Sequence, residues 1–410
     1  MKPDKTIRLS LFGVVAAFVM FVAGCYMMPG SGNGVAKVAI NAKGIPPNLS
    51  SVALVVTAPG MATISTTASV SAGSITVSVP AGPARTFTLL LNGPSATLEG
   101  VATVDLQPGQ TTTINVTPTL GATQIVIPDL QNHRVVQISD MIGTGWTAIT
   151  GSSLSGTVNT AGGLLTPWAI DFDSLGRIYI ASNSTIGLFR IDDISHPASP
   201  TAVLVDTTIG ITSLAVDRTN GLVYYGTAGT NLNQKNVNNV AASPTILSLA
   251  SETLLIGPAS MAADDQGNLY MVLTYPSNFI VKYNPSLPVG SRIIARSTYA
   301  GFTTPWGVMV KGPYVYVSDN NGNGSGLGKA QIVRFDTNLN FVDSFSGPST
   351  DPFYGPETFV ATLNRKFTMI DEKADFFDRL VSFDDMAGTN WTTFGSNGAG
   401  VNQFDFYTVC

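Results

Sequence analysis

The feature that most constrains this chain is a strand pattern that recurs through its carboxy-terminal part. Arg134-Val135-Val136-Gln137-Ile138-Ser139-Asp140-Met141-Ile142-Gly143-Thr144-Gly145-Trp146-Thr147 returns as Arg379-Leu380-Val381-Ser382-Phe383-Asp384-Asp385-Met386-Ala387-Gly388-Thr389-Asn390-Trp391-Thr392. Weaker copies of the apolar–polar–apolar strand centre on Ile191, Tyr283 and Phe335, with a degenerate one near Asn236. The anchors at 138, 191, 236, 283, 335 and 383 stand 53, 45, 47, 52 and 48 residues apart, so the chain holds six units from about residue 121.

A period in the forties or fifties predicts a β-propeller, in which each unit is one small sheet. Every unit but the first opens with an apolar strand that turns into another, as in Trp168-Ala169-Ile170-Asp171 to Ile178-Tyr179-Ile180 and Met261-Ala262-Ala263-Asp264 to Leu269-Tyr270-Met271. Unit one begins at its second strand, Gln124 to Ile127, while Gln403 to Val409 reads as an orphan first strand. Pairing the two would close the domain and leave no open sheet edge. Loss of the last eight residues is then expected to destabilise the whole domain.

Within unit one, Asp129-Leu130-Gln131-Asn132-His133-Arg134-Val135-Val136 resembles the signature of NHL repeats. The resemblance covers about residues 121–410 and implies a six-bladed β-propeller. The His is missing from units two to six, and only units five and six keep an Asp near the same place.

At the other end, Lys2, Lys5 and Arg8 precede the apolar run Leu9 to Val22, which is short for a membrane span and suits a signal-peptide core. Val22-Ala23-Gly24-Cys25 resembles the bacterial lipobox. It implies removal of residues 1–24, a lipid on Cys25 and a membrane-anchored address in the cell envelope; Tyr26, where an Asp would favour the inner membrane, points to the outer one. Residues 25–35, with Met-Met-Pro-Gly-Ser-Gly-Asn-Gly, read as a tether. Residues 36–118 carry alternating or β-branched runs at Val35–Asn41, Ser51–Thr57, Ser74–Val79, Thr86–Asn92, Ala96–Asp105 and Thr111–Thr117, parted by turns such as Pro80-Ala81-Gly82-Pro83. Six or seven short strands at this spacing predict a β-sandwich spacer, similar to immunoglobulin-like or transthyretin-like modules. The fold class is therefore all-β.

Only 11% of residues are charged and the net charge is −5 without a basic cluster, so nothing offers a phosphate backbone a surface and nucleic acid is not an expected partner. With Cys25 and Cys410 the only cysteines, no intramolecular disulfide is expected.

Candidate chemistry is sparse. His133 and His196 are the only histidines, too few for an imidazole-rich zinc site; His133 is read as packing or hydrogen bonding within its unit, and His196 is given no role. Asp319-Asn320-Asn321-Gly322-Asn323-Gly324 starts like a calcium loop through Asp319, Asn321 and Asn323, but positions nine and twelve are Leu327 and Ala330. Gly322 to Ala330 lacks the first glycine and the Ser/Thr of a phosphate loop. Asp192-Asp193, Asp264-Asp265 and Asp384-Asp385 each follow a strand, where Asp favours a turn. No catalytic set, cofactor or metal is expected.

The propeller reading nominates a binding face. From the starts of first strands come Trp168 and Trp306, each in Thr-Pro-Trp, and Glu357; from the loops between second and third strands come His133, Asn183, Tyr275, Asp319, Asn321 and Asp375. Aromatic anchors among amides and carboxylates suit a protein, peptide or glycan ligand, although both indoles could equally pack between units. The expected function is a binding or scaffolding lipoprotein. The alternative is a metal-dependent hydrolase or lactonase with Glu357, Asp319 and Asn183 holding a divalent ion in the channel.

Overall fold

The computed structural model describes residues 33–40, 51–58, 61, 63–69, 74–92, 97–116, 119–120, 125–156, 165–173, 177–183, 186–192, 200–254, 256–274, 278–320, 330–362, 367–373 and 377–406. The export segment, Cys25, Asp193, His196, Tyr275, Asn321, Asn323, Asp375 and Cys410 lie outside the described residues. The chain divides into two compact units, Met1–Ala122 (unit one) and Thr123–Cys410 (unit two), the second of which holds all six sequence repeats. What is described is all-β, broken by single 3-10 turns at Gly151–Ser153 and Ala250–Glu252. Among the described residues no helix is long and apolar enough to cross a membrane.

In unit one, β1 (Asn33–Ile40), β2 (Ser51–Thr57), β3 (Ile64–Ser69), β4 (Ser74–Pro80), β5 (Gly82–Asn92), β6 (Thr97–Leu106), β7 (Thr111–Val116) and β8 (Thr119–Leu120) form two sheets, ordered β4-β1-β7 and β3-β2-β5-β6-β8. Alternation builds them: β4 buries Ile75 and Val79 and exposes Thr76 and Ser78. Inward residues of both sheets, Ala36, Val38, Ile75 and Ile114 on one side and Leu54, Val56, Phe87 and Leu89 on the other, share one apolar core. Asn33 and Gly34 already belong to β1, opposite Pro80 and Val79, so the strand starts inside the expected tether.

Among the described residues unit two holds six larger sheets and one strand pair. The first comprises β9 (Ile125–Asp129), β10 (Arg134–Ile138) and β11 (Thr147–Thr150). The second has β12 (Ser155–Gly156), β13 (Pro167–Phe172), β14 (Ile178–Ser182), β15 (Gly187–Ile191) and β16 (Thr201–Asp206); the third has β17 (Ile211–Asp217), β18 (Leu222–Thr227), β19 (Asn231–Asn236) and β20 (Thr245–Ser248). In the fourth are β21 (Ser260–Ala263), β22 (Leu269–Leu273), β23 (Phe279–Tyr283) and β24 (Ile293–Arg296); in the fifth β25 (Pro305–Lys311), β26 (Tyr314–Asp319), β27 (Gln331–Asp336) and β28 (Phe341–Phe345). β29 (Pro356–Phe359), a two-residue β30 (Ala361–Thr362), β31 (Phe367–Lys373), β32 (Phe377–Phe383), β33 (Thr392–Phe394), β34 (Ser396–Asn397) and β35 (Gln403–Phe404) complete the order. β30 joins the first sheet against β9, while β29, β31, β32 and β33 make the sixth. The remaining four-stranded meanders run antiparallel in sequence order.

Middle strands such as β14, β15 and β22 are buried along their whole length, which is why they read as unbroken apolar runs rather than alternating ones. Their side chains fill a series of cores, each shared by two successive sheets. Tyr179 and Leu188 meet Leu214 and Tyr225; Tyr224 and Leu232 meet Leu269 and Met271; Tyr270 and Ile280 meet Val315 and Val317; Tyr316 and Ile332 meet Phe367 and Val381. Val126 and Ile149 meet Ile178 and Phe189, and a last cluster joins Ile125 and Val136 to Ile370, Leu380, Phe404 and Phe406.

The carboxy-terminal segment departs from expectation. The strand ladder on the side of β9 away from β10 is supplied by β30, with Ala361 opposite Val126 and Thr362 opposite Ile125, while Gln403 and Phe404 pair in parallel with Ser396 and Asn397. Asp405 instead meets the far end of β9 by hydrogen bonds: its amide donates to Asp129 Oδ1 (2.9 Å) and its carbonyl accepts from the Gln131 amide (3.1 Å). The physical reason is Arg134, whose guanidinium donates to the carbonyls of Ala399, Gly400 and Gln403 and draws the segment into a loop before it reaches β9. Residues 407–410 lie outside the described residues.

Candidate binding cavity

Three first strands enter their sheets through the same device. Asp319, at the end of β26, accepts the amides of Thr303 (3.0 Å) and Thr304 (2.6 Å), and the Asn320 amide donates back to the Thr304 carbonyl (3.1 Å). Asp371 on β31 likewise takes the amides of Tyr354 (2.9 Å) and Gly355 (3.0 Å), with Glu372 N donating to Gly355 O (3.0 Å). On β14, Ser182 Oγ takes the Thr166 amide (3.2 Å) and Asn183 N returns to Thr166 O (2.9 Å). Each clamped residue is followed by a buried proline, Pro167, Pro305 or Pro356, whose ring fixes φ, and then by Trp168, Trp306 or Glu357. Asp405 makes the equivalent bonds to Asp129.

These lead-ins set one end of a cavity of about 140 Å³ lined by β13, β17, β21, β25 and β29. Trp168, Thr212, Ser260, Trp306 and Glu357 stand at the strand starts; Arg218, Ala263 and Val310 lie toward the other end. Both indoles are half-buried, and Glu357 is only 4% exposed. Neighbouring first strands are laced together: Ser260 Oγ accepts the Val308 amide (3.3 Å), Asp171 Oδ2 accepts the Val216 amide (2.8 Å), and Ser318 Oγ, which accepts from Gly307 N (2.7 Å), donates to the Glu357 carbonyl. A Cβ on Gly307 would lie 2.5 Å from that carbonyl, so glycine is what lets β25 and β29 approach so closely.

The cavity joins three of the expected face residues, Trp168, Trp306 and Glu357. His133 and Asn183 line an adjoining depression with Gln131 and Thr166; Leu130 borders both spaces. His133 adopts φ of 54° and its Nδ1 lies 3.1 Å from Leu165 O, a contact to the segment that leads into β13 rather than within its own sheet. Asp319 is not part of this face. Its oxygens accept from the Thr303 and Thr304 amides and from Gln331 Nε2, and so fix the lead-in to β25; Asn321 and Asn323 of the calcium-like loop lie outside the described residues. Burial raises its pKa against the lowering effect of those donors. Among the described residues no group of three or more His, Cys, Asp or Glu is placed to hold a metal. Asp264 and Asp385 bond the amides of Gln266 and Asn268, and of Ala387 and Thr389, and so act as turn residues.

Asp129, Asn132 and Arg134 hold the seam between β9 and the carboxy-terminal segment. Asp129 accepts from Arg134 Nε (2.6 Å), Asn132 Nδ2 (3.0 Å) and Asp405 N. Arg379 repeats this with Asp371 (2.8 Å) and Asp351 (2.7 Å), and Trp391 Nε1 donates to Asp351 (2.9 Å).

Sequence reading missed Glu372, the residue after Asp371. It is 3% exposed, hydrogen bonds through its side chain to Glu357, and leaves Oε2 buried without a partner. Burial first, and then the charges of Asp378 and Asp405, push its carboxyl up to about 7, with the bond from Glu357 opposing. Burial likewise lifts Asp378 and Asp371 to about 6 against their hydrogen-bond donors. The signal was an acidic pair, Asp371-Glu372, directly after the apolar residues Met369 and Ile370 of β31. No protein-family model matches the chain, and no curated protein matches it.

Proposed function

We propose that unit two is a six-bladed β-propeller of NHL-like type, carried through a β-sandwich spacer on a lipid-modified Cys25, and that it works as a binding or scaffolding module in the cell envelope. The series of six shared cores, running from the last sheet back to the first, supports the propeller. The address rests on the lipobox-like Val22-Ala23-Gly24-Cys25. Binding rests on one observation: two half-buried tryptophans and a buried glutamate held at one end of a cavity by preset lead-ins. At about 140 Å³ the space is below the ~300 Å³ or more of drug-sized ligand sites, so it suits one inserted group of a larger protein, peptide or glycan.

The combined Trp168→Ala and Trp306→Ala variant is expected to lose capture of its envelope partner while its melting temperature changes little; capture at the wild-type level would overturn this reading. Separately, Cys25→Ser is expected to abolish incorporation of radiolabelled fatty acid and to move the protein from the membrane to the soluble fraction. Undiminished labelling in that variant would place the lipid elsewhere.

A further inference from the structure

We propose that the depression beside the cavity is a saccharide subsite, in which His133 and Asn183 take two neighbouring hydroxyls of a neutral pyranose and Trp168 meets the C–H face of the ring. The inference rests on the binding function above and names the chemistry of the ligand.

The turn from Leu130 to His133, closed by the His133 amide on the Leu130 carbonyl (3.1 Å), carries the imidazole to the segment that leads into β13. His133 holds φ at 54° there, a left-handed backbone that side chains seldom adopt and that histidine tolerates better than most. Its Nδ1 faces the Leu165 carbonyl, which can only accept, so Nδ1 carries the hydrogen and Nε2 of the neutral ring is an acceptor. Asn183 is anchored through its backbone, whose amide donates to Thr166 O (2.9 Å). Its exposed carboxamide has no hydrogen-bond partner among the described residues.

The depression therefore offers one bare acceptor beside a group that both donates and accepts. Vicinal hydroxyls match that set: one donates to His133 Nε2 and accepts from Asn183 Nδ2, and its neighbour donates to Asn183 Oδ1. A peptide group keeps its donor and its acceptor on separate atoms and cannot bridge the two side chains in this way. An apolar group would strand His133 Nε2 and the Asn183 carboxamide away from water. No Asp, Glu, Lys or Arg stands among the described residues that line the space, so a charged ligand finds no counter-ion. At about 220 Å³ the space admits a six-membered ring, since a cavity of ~150 Å³ holds benzene. Leu130 borders both this depression and the cavity, and Thr166 of the depression is followed two residues on by half-buried Trp168 of the cavity. An indole face next to the polar pair suits the aliphatic face of a sugar.

The test titrates the full chain, in detergent, with neutral disaccharides of gluco, galacto, manno and N-acetylglucosamine configuration, following tryptophan fluorescence and heat. At least one is expected to bind, and its deoxy counterpart lacking one hydroxyl of the vicinal pair to bind about tenfold more weakly, the worth of one hydrogen bond. Asn183→Ala should weaken binding by a similar factor without moving the melting temperature, and His133→Asn, which suits the left-handed backbone, should weaken it too. No binding of any disaccharide, equal binding of the deoxy sugar, or binding that Asn183→Ala leaves unchanged overturns the proposal, and the wild-type comparison decides even if a variant fails to fold. Mild periodate treatment of envelope extract, which cleaves vicinal diols, should abolish partner capture. Proteinase digestion of the extract then tells a protein-borne sugar from a polymer or lipid headgroup, any of which supports the site. If capture still depends on Trp168 and Trp306 but survives periodate, this inference falls and the binding function stands.

Discussion

The protein is expected to melt at a higher temperature at pH 5 than at pH 8. Three buried carboxyls on β31 and β32 titrate above their ordinary range, Glu372 at about 7 from 4.5 and Asp371 and Asp378 at about 6 from 3.8, each mainly because burial disfavours the charged form. For an acid with a raised folded-state pKa, the folded protein holds more protons than the unfolded chain between the two values. The stabilisation is therefore complete below about pH 4 and is lost as the pH rises through 6 and 7. At 1.36 kcal/mol per unit, each group accounts for about 3 kcal/mol, although neighbouring sites titrate together and do not simply add. A total of a few kcal/mol corresponds to roughly 5–10 °C in melting temperature for a domain of this size. Calorimetry at fixed ionic strength checks it, and Glu372→Gln should flatten the profile. A melting temperature that is flat or rising from pH 5 to 8 would show that these carboxyls ionise freely in the folded state.

Removal of residues 403–410 should have the second large effect. Phe404 and Phe406 are at most 2% exposed, their rings lie 5.1 Å apart, and Phe404 packs 5.3 Å from Trp146. Deleting one buried phenylalanine costs about 3–5 kcal/mol by itself. The truncation also takes the Gln403 carbonyl from Arg134 and the amides of Asp405 and Phe406 from Asp129 and Asp378, leaving buried carboxylates short of donors. Against a total stability of about 5–15 kcal/mol, cooperative unfolding of unit two should be weakened severely or lost. Phe404→Ala isolates the packing contribution and should cost about 3–5 kcal/mol in urea titration. A truncated chain that melts with the full-length protein would mean that β30 alone holds the edge of β9.

Much of the fold was legible because buried strands write themselves in apolar residues. The anchors Ile138, Ile191, Tyr283, Phe335 and Phe383 are each fully buried in a core, whereas Asn236, at the exposed end of β19, is the copy that reads as degenerate. β3 went unread because Ile64-Ser65-Thr66-Thr67-Ala68-Ser69 is an edge with little apolar character, and β30, at two residues, carries no pattern. Trp168 and Trp306 were readable from their Thr-Pro-Trp context, and Glu357 from its place at the start of a first strand. Glu372 was not, because its partnership with Glu357 arises from pairing across the sheet, where Pro356 stands opposite Asp371. Asp319 misled for a related reason: an Asp at a strand end looks the same in sequence whether it grips backbone amides or faces a ligand.

The clamps that precede Pro167, Pro305 and Pro356 bear on how fast a partner can dock. A carboxylate or hydroxyl on the adjacent strand already fixes the backbone ahead of each contact residue, so little ordering remains to be done on encounter. Association should then be a single step whose rate constant scales with partner concentration without reaching a plateau, and differences among ligands should appear in how long they stay.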